Sequence, residues 1–201
     1  MTGKILLSTA YLPPIEYFSY IIKAEEVFIE REENYLKQSY RNRCYILSAD
    51  GLQLLTIPVY KGSFHKTPVK EIRIDYSKRW QQIHLRALSS SYKSSPYFIY
   101  YYEIIEKIIQ SNYEFLLDLN MHILKAILKM MKIEILLSYT SDFQPTDISN
   151  NDLRYKISPK KKSYYQPKKY IQVFDYGEGF AADLSIMDLV FNMGPEAYKY
   201  L

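Results

Sequence analysis

The first thirty residues constrain the fold more than any other stretch. Residues 4–9 (KILLST) form a short apolar run suited to a buried strand, and residues 26–30 (EVFIE) form a second. Between them Tyr11-Leu12-Pro13-Pro14 makes a stiff turn, and residues 15–24 carry the spacing of a helix. Pro14 suits the first helical turn, where its missing N–H removes nothing. Strand, turn, helix and strand in that order predict a βαβ unit with its two strands parallel.

A second local signal follows. Residues 43–47 and 52–59 are apolar runs flanking Ser48-Ala49-Asp50-Gly51, and Asp-Gly between such runs marks an antiparallel hairpin. Residues 69–76 alternate Ile72, Ile74 and Tyr76 with Glu71, Arg73 and Asp75, the period of a strand with one wet face. Helices are expected over 78–92 and 97–110, broken at Ser94-Ser95-Pro96, and over 112–131. A strand is expected over 133–139, then a polar, lysine-rich long loop or flap over 146–169. Residues 170–174 read as a return to the sheet, and Ser185 as the N-cap of a last helix, 186–192, ended by Gly194-Pro195. The fold expected is one α/β domain over residues 1–201: a single-layer mixed sheet starting with the βαβ unit, plus an antiparallel hairpin, with helices packed alongside.

Composition narrows the function classes. A net charge of +4 permits an anionic ligand but falls short of a dedicated nucleic-acid binder. The single cysteine, Cys44, excludes an internal disulfide and a cysteine-built zinc site. With no leader-like start and no apolar run of spanning length, the reading is a cytoplasmic protein without a membrane span. Twenty-two tyrosines against six glycines favour strands and wet pockets, although an AT-rich coding genome yields the same excess.

The densest cationic run is Lys37-Gln38-Ser39-Tyr40-Arg41-Asn42-Arg43. If Arg41 and Arg43 both lie on the first hairpin strand, they share a face, and two planar forks beside the Lys37 ammonium could grip phosphate or carboxylate. An edge strand guarded by charges would look the same. The turn from Tyr11 to Tyr17 lies where α/β sheets collect ligands, but it holds no glycine to close on a pyrophosphate. Trp80 and His84 stand four apart on a predicted helix, so His84 is either a general base or an imidazole packed on an aromatic. No histidine or carboxylate set has metal-ligand spacing, and His65 falls in a loop. Cys44, opposite in direction to Arg43, reads as core, with a nucleophile as the alternative. Lys160, Lys161, Lys162, Lys168 and Lys169 flank Tyr164 and Tyr165, a pattern shared by solvated charge runs and single-strand binders.

Four motifs in order resemble the WbqC-like family of bacterial proteins: Ala10-Tyr11-Leu12-Pro13-Pro14-Ile15-Glu16-Tyr17-Phe18; Tyr35-Leu36-Lys37 running to Asn42-Arg43 with the hairpin after it; Trp80-x-x-x-His84 with Tyr92-x-x-x-Pro96-Tyr97-Phe98; and residues 183–196. The leading Gln-Pro of the family's first motif is replaced here by Ser8-Thr9-Ala10. The resemblance implies a transferase of surface-glycan (O-antigen type) synthesis that passes glycine or another aminoacyl group. On that reading Arg41, Arg43 and Lys37 hold an anionic small-molecule substrate and His84 takes a proton. Tyr11, Tyr17, Tyr40 and Tyr97 shape the pocket, and Asn42 and Asn192 orient polar groups. A nucleotidyltransferase-like enzyme and a non-catalytic nucleic-acid or protein binding module are the alternatives. No cofactor or oligomeric state is indicated.

Overall fold

Residues 3–60, 66–143, 145, 151–163, 165–174 and 179–201 are described by the computed structural model. His65, Tyr164 and part of the loop expected at 146–169 lie outside the described residues.

The βαβ unit forms as its pattern predicts. Strand β1 (Lys4–Ser8), helix α1 (Ile15–Ile21) and strand β2 (Glu26–Glu30) follow in order, and β1 pairs with β2 in parallel from Lys4↔Glu26 to Ser8↔Glu30. Pro14 sits one position earlier than expected, as the N-cap of α1. Strand β5 (Leu136–Tyr139) lies in parallel on the other side of β2, giving the order β1-β2-β5. Period-two alternation sends Ile5, Leu7, Val27 and Ile29 into the core while Leu6 and Phe28 stay half-buried on the opposite face.

The hairpin, β3 (Arg43–Ser48) with β4 (Gly51–Thr56), is antiparallel and makes a sheet of its own. Ser48 pairs with Gly51 across two turn residues, and Gly51 takes φ +101°, a conformation only glycine adopts cheaply. Residues 69–76 keep the alternating burial of a strand, with Ile72 and Ile74 inward, but not its ladder. Val69–Glu71 forms a 3₁₀ turn after Pro68, and beyond it single bridges join Ile74 to Val59 and Arg73 to Phe115. Alternation reports an extended backbone against a core; it does not supply a partner strand. Likewise residues 170–174 carry no strand and are held by side chains, Gln172 bonding Ala181 at both its amide atoms.

Helices α2 (Trp80–Tyr92), α3 (Phe98–Gln110), α4 (Leu116–Met130) and α5 (Ile186–Met193) match the periodic segments. Ser185 caps α5, its hydroxyl accepting from the Met187 N–H at 3.2 Å. In α4, Leu116, Leu119, Ile123, Ile127 and Met130 are buried at helical spacing, each contributing roughly 1.5–3 kcal/mol by leaving water. Asn120 interrupts that apolar face, and its partners are Thr9, just past β1, and the Arg41 carbonyl. Among the described residues no helix is long and apolar enough to cross a membrane.

Candidate functional site

The carboxyl ends of β1, β2 and β5 finish in Ser8, Glu30 and, one residue past β5, Thr140. Around them the fold buries an unusual set of charges. Residues 151–153 bridge to the free edge of β1, Leu6 N–H donating to the Asn151 carbonyl and Leu153 N–H to that of Leu6, both at 2.9 Å. This extension carries Arg154 to the sheet's end, where it is 1% exposed. Its fork donates to both Asp152 carboxylate oxygens (Nε 3.0 Å, Nη2 2.7 Å), and Nη1 donates to Glu30 Oε2 at 2.8 Å. Glu30 also accepts from the Thr140 hydroxyl at 2.6 Å and the Glu32 N–H at 2.9 Å.

A second pair stands beside the first. Arg41 donates from Nε (2.9 Å) and Nη2 (2.6 Å) to Glu33, and from Nη2 to Ser8 Oγ at 2.6 Å. Ser8 Oγ in turn donates to the Arg154 carbonyl at 2.9 Å, so one hydroxyl joins the two clusters. Asn120 Nδ2 donates to the Arg41 carbonyl at 2.8 Å and to Thr9 Oγ1 at 3.1 Å, which explains a polar residue on the buried face of α4. The Tyr155 ring lies 6.0 Å from the Arg41 guanidinium and 5.8 Å from that of Arg154.

Three buried carboxylates (Glu30, Glu33, Asp152) thus face two buried guanidiniums. Burial pushes the Glu33 carboxyl up even with Arg41 beside it. Two hollows adjoin the cluster. One, of about 10 Å³ and large enough for a single water, lies between Arg41 and Arg154 and is lined by Ser8, Thr9, Tyr17 and Tyr40. The other, about 390 Å³, opens on the half-buried sheet face, with Leu6 and Phe28 as its apolar wall and Thr140, Ser141, Asp152 and Arg154 at its polar end.

The residues singled out in the sequence are not gathered in one place. Tyr17, Tyr40 and Arg41 meet at the small hollow, where the Tyr17 hydroxyl donates to the Ser8 carbonyl at 2.9 Å. Arg43 and Arg41 do not share a strand face. Strand β3 begins at Arg43, and Arg41 belongs to the preceding turn, in which Gln38 takes φ +56°. Lys37 is exposed on that turn, and Asn42 is buried, its Nδ2 donating to the Ile57 carbonyl at 2.8 Å. Tyr97 stacks on Tyr101 beside Gly194, and Asn192 Nδ2 donates to the Asp188 carbonyl at 2.8 Å within α5.

His84 is 2% exposed, edge-on to Trp80 at 5.2 Å. One ring nitrogen bonds the Thr56 backbone, which places an N–H there, so Nδ1 accepts the Tyr11 hydroxyl at 2.9 Å. Burial holds its pKa down at about 4, and the neutral ring has no open nitrogen for a substrate proton. Cys44 is 1% exposed and burial pushes its thiol far up, the state of a core residue. The N-terminus of α1 is covered as well: Ile15 N–H donates to the Leu184 carbonyl at 3.0 Å, taking a donor that a phosphate would need.

Sequence reasoning missed Glu30, Glu33, Asn120, Thr140, Asp152 and Arg154. Two signals pointed to three of them: a glutamate, Glu30, closing the apolar strand EVFIE, and Asp152-Leu153-Arg154 alternating like a strand inside a polar segment. Among the described residues no group of three or more His, Cys, Asp or Glu side chains could hold a metal ion.

The sequence model of the WbqC-like protein family matches residues 9–169. The chain belongs to the WbqC-like family. The matched span contains every charged residue of the cluster, whereas α5 and the 183–196 motif lie beyond it. The chain is also similar to the uncharacterized protein Rv1507c of Mycobacterium tuberculosis, at 29% identity over 228 aligned positions that span 100% of this chain and 98% of the relative. No solved structure matches it.

Proposed function

We propose that this WbqC-like protein is a transferase of bacterial surface-glycan (O-antigen type) synthesis, passing glycine or another aminoacyl group, with its substrate seated at the carboxyl edge of the parallel sheet. One observation carries the placement. Two guanidiniums and three carboxylates, all but inaccessible, converge there beside a cavity of about 390 Å³. Burying ion pairs is a poor way to stabilise a fold, and α/β sheets bind ligands outside the carboxyl ends of their strands. The transferred group comes from the family resemblance.

The geometry supports a set of roles. Acyl transfer needs a group to take the proton of an attacking amine or hydroxyl and a cation to steady the oxygen that becomes negative. Asp152 and Arg154 both line the cavity and fit those tasks, while Phe28 and Leu6 offer an apolar wall. Arg41, whose fork is filled by Glu33, positions Ser8 and through it Arg154. A substrate carboxylate or phosphate reaches Arg154 by displacing one arm of Asp152. His84 acts in this scheme by holding Tyr11.

The test screens sugar nucleotides, amino acids, nucleotides and phosphates for thermal stabilisation, then repeats each hit in Ser141→Trp. Ser141 is exposed on the cavity wall, so a bulky ring there fills the cavity without entering the core. The expected result is a ligand that stabilises the native chain and not the variant. Full stabilisation in both Ser141→Trp and Phe28→Ala would remove the cavity from the mechanism.

A further inference from the structure

A separate groove of about 670 Å³ runs between α1 and residues 156–163 with Tyr165. Its volume is that of a small-ligand site. Lys156, Lys161 and Lys162 line it, facing Tyr20 and Tyr165, with Glu16 as its acidic member. The turn that presents the lysines is braced from within. Lys161 N–H donates to the Ser158 carbonyl at 3.1 Å, Lys160 N–H to Ser158 Oγ at 3.3 Å, and Tyr165 N–H to Ser163 Oγ at 3.1 Å. The Lys161 ammonium is anchored on the Tyr155 carbonyl at 2.8 Å, and among the described residues Lys162 makes no ion pair. Lys161 and Lys162 outnumber Glu16 in this lining, whereas carboxylates outnumber guanidiniums in the buried cluster.

We propose that this groove binds the phosphate group of a small phosphorylated ligand, with Lys156, Lys161 and Lys162 around the phosphate and the Tyr20 and Tyr165 rings against the organic part. Lysines serve phosphate as mobile point charges, and a tyrosine ring gives a sugar or base an apolar face with a hydroxyl at its rim. The site stands apart from the transferase reading, because it shares none of the cavity's residues and its test reads binding alone.

The experiment is calorimetric titration of the full chain at low ionic strength with sodium pyrophosphate, glucose 1-phosphate and glucose. Both phosphates should bind and glucose should not. The Lys161→Ala/Lys162→Ala variant should lose at least tenfold in affinity, whereas Lys107→Ala/Lys199→Ala, an equal loss of charge elsewhere on the surface, should lose under twofold. All four lysines are exposed, so the variants test charge rather than folding. A parallel arm uses phosphatidylglycerol vesicles, where binding lost in the groove variant would assign the phosphate to a lipid headgroup. Equal losses in the two variants, or binding of a single-stranded RNA decamer without binding of pyrophosphate, would overturn the proposal.

Discussion

Replacing Arg41 by alanine is the sharpest perturbation available, and its main effect should be on stability. The Arg41 and Glu33 side chains are 3% and 0% exposed and meet through contacts of 2.6–2.9 Å. Removing the guanidinium leaves a carboxylate buried without its counter-charge, a change that costs about 3–5 kcal/mol. For a chain of this size each kcal/mol moves the melting temperature by about 2–4 °C, so the midpoint should fall on the order of 6–20 °C. The loss should depend on pH. Glu33 is an acid whose folded pKa is raised above its ordinary value of 4.5, so its contribution is fully present below that value and lost as pH rises through the folded pKa. Without Arg41 that folded pKa climbs further, and the deficit of Arg41→Ala should be small near pH 4 and grow as pH rises towards 7. Urea unfolding followed by circular dichroism at both pH values measures it. Glu33→Gln added to Arg41→Ala should recover much of the deficit at pH 7, and Arg41→Met/Glu33→Leu should lie near the native stability. A cost under about 1 kcal/mol at pH 7, or one independent of pH, would refute the account of this pair.

Three further outcomes follow from other parts of the fold. His84, held neutral with a pKa near 4 against an ordinary 6.5, contributes stability that is intact above pH 6.5 and declines by about 3 kcal/mol as pH falls to 4. His84→Phe should therefore give a lower but flatter acid profile, and an unchanged slope would count against the assignment. Cys44 should react with a disulfide reagent such as DTNB only as fast as the chain opens, and rapid labelling of the native protein would contradict its burial. Gly194 takes φ +56°, and an added Cβ would lie 2.4 Å from the Tyr97 ring, so Gly194→Ala should destabilise by about 2–4 kcal/mol. Adding Tyr97→Ala should relieve the clash and leave the backbone strain; a Gly194→Ala chain as stable as the native one would show that neither matters.

Local physics made much of the fold legible. Apolar runs, Pro14, Asp50-Gly51, Pro96 and Ser185 mark boundaries through backbone preferences, and those boundaries appear within a few residues of where they were expected. Residues 69–76 and 170–174 misled because alternation and apolarity reveal which side of a segment faces the core, whereas a ladder requires a neighbour chosen by tertiary structure. The site was harder. Arg41 stood out because it lies in a dense cationic run, but Glu30, Asp152 and Arg154 are more than a hundred residues apart in part, and no local pattern announces a pairing across that distance. His84 illustrates the same blindness from the other side: its spacing from Trp80 was visible, and the Thr56 backbone that occupies its second nitrogen was not.

The two guanidiniums also explain why this cluster, rather than the exposed Lys37 end of the cationic run, is the better place to look for chemistry. A charge on the surface is held by water and can be exchanged with little effect on folding. Arg154 is held instead by Asp152, Glu30 and a bridge to the edge of β1, and Arg41 by Glu33 and Ser8. Each depends on the other through the Ser8 hydroxyl, which accepts from one arginine and donates to the backbone of the other. Apolar residues of similar volume would stabilise the same space at least as well. A set that is costly to bury, mutually oriented and placed where a cavity meets the ends of parallel strands is the ground on which the proposed substrate site rests.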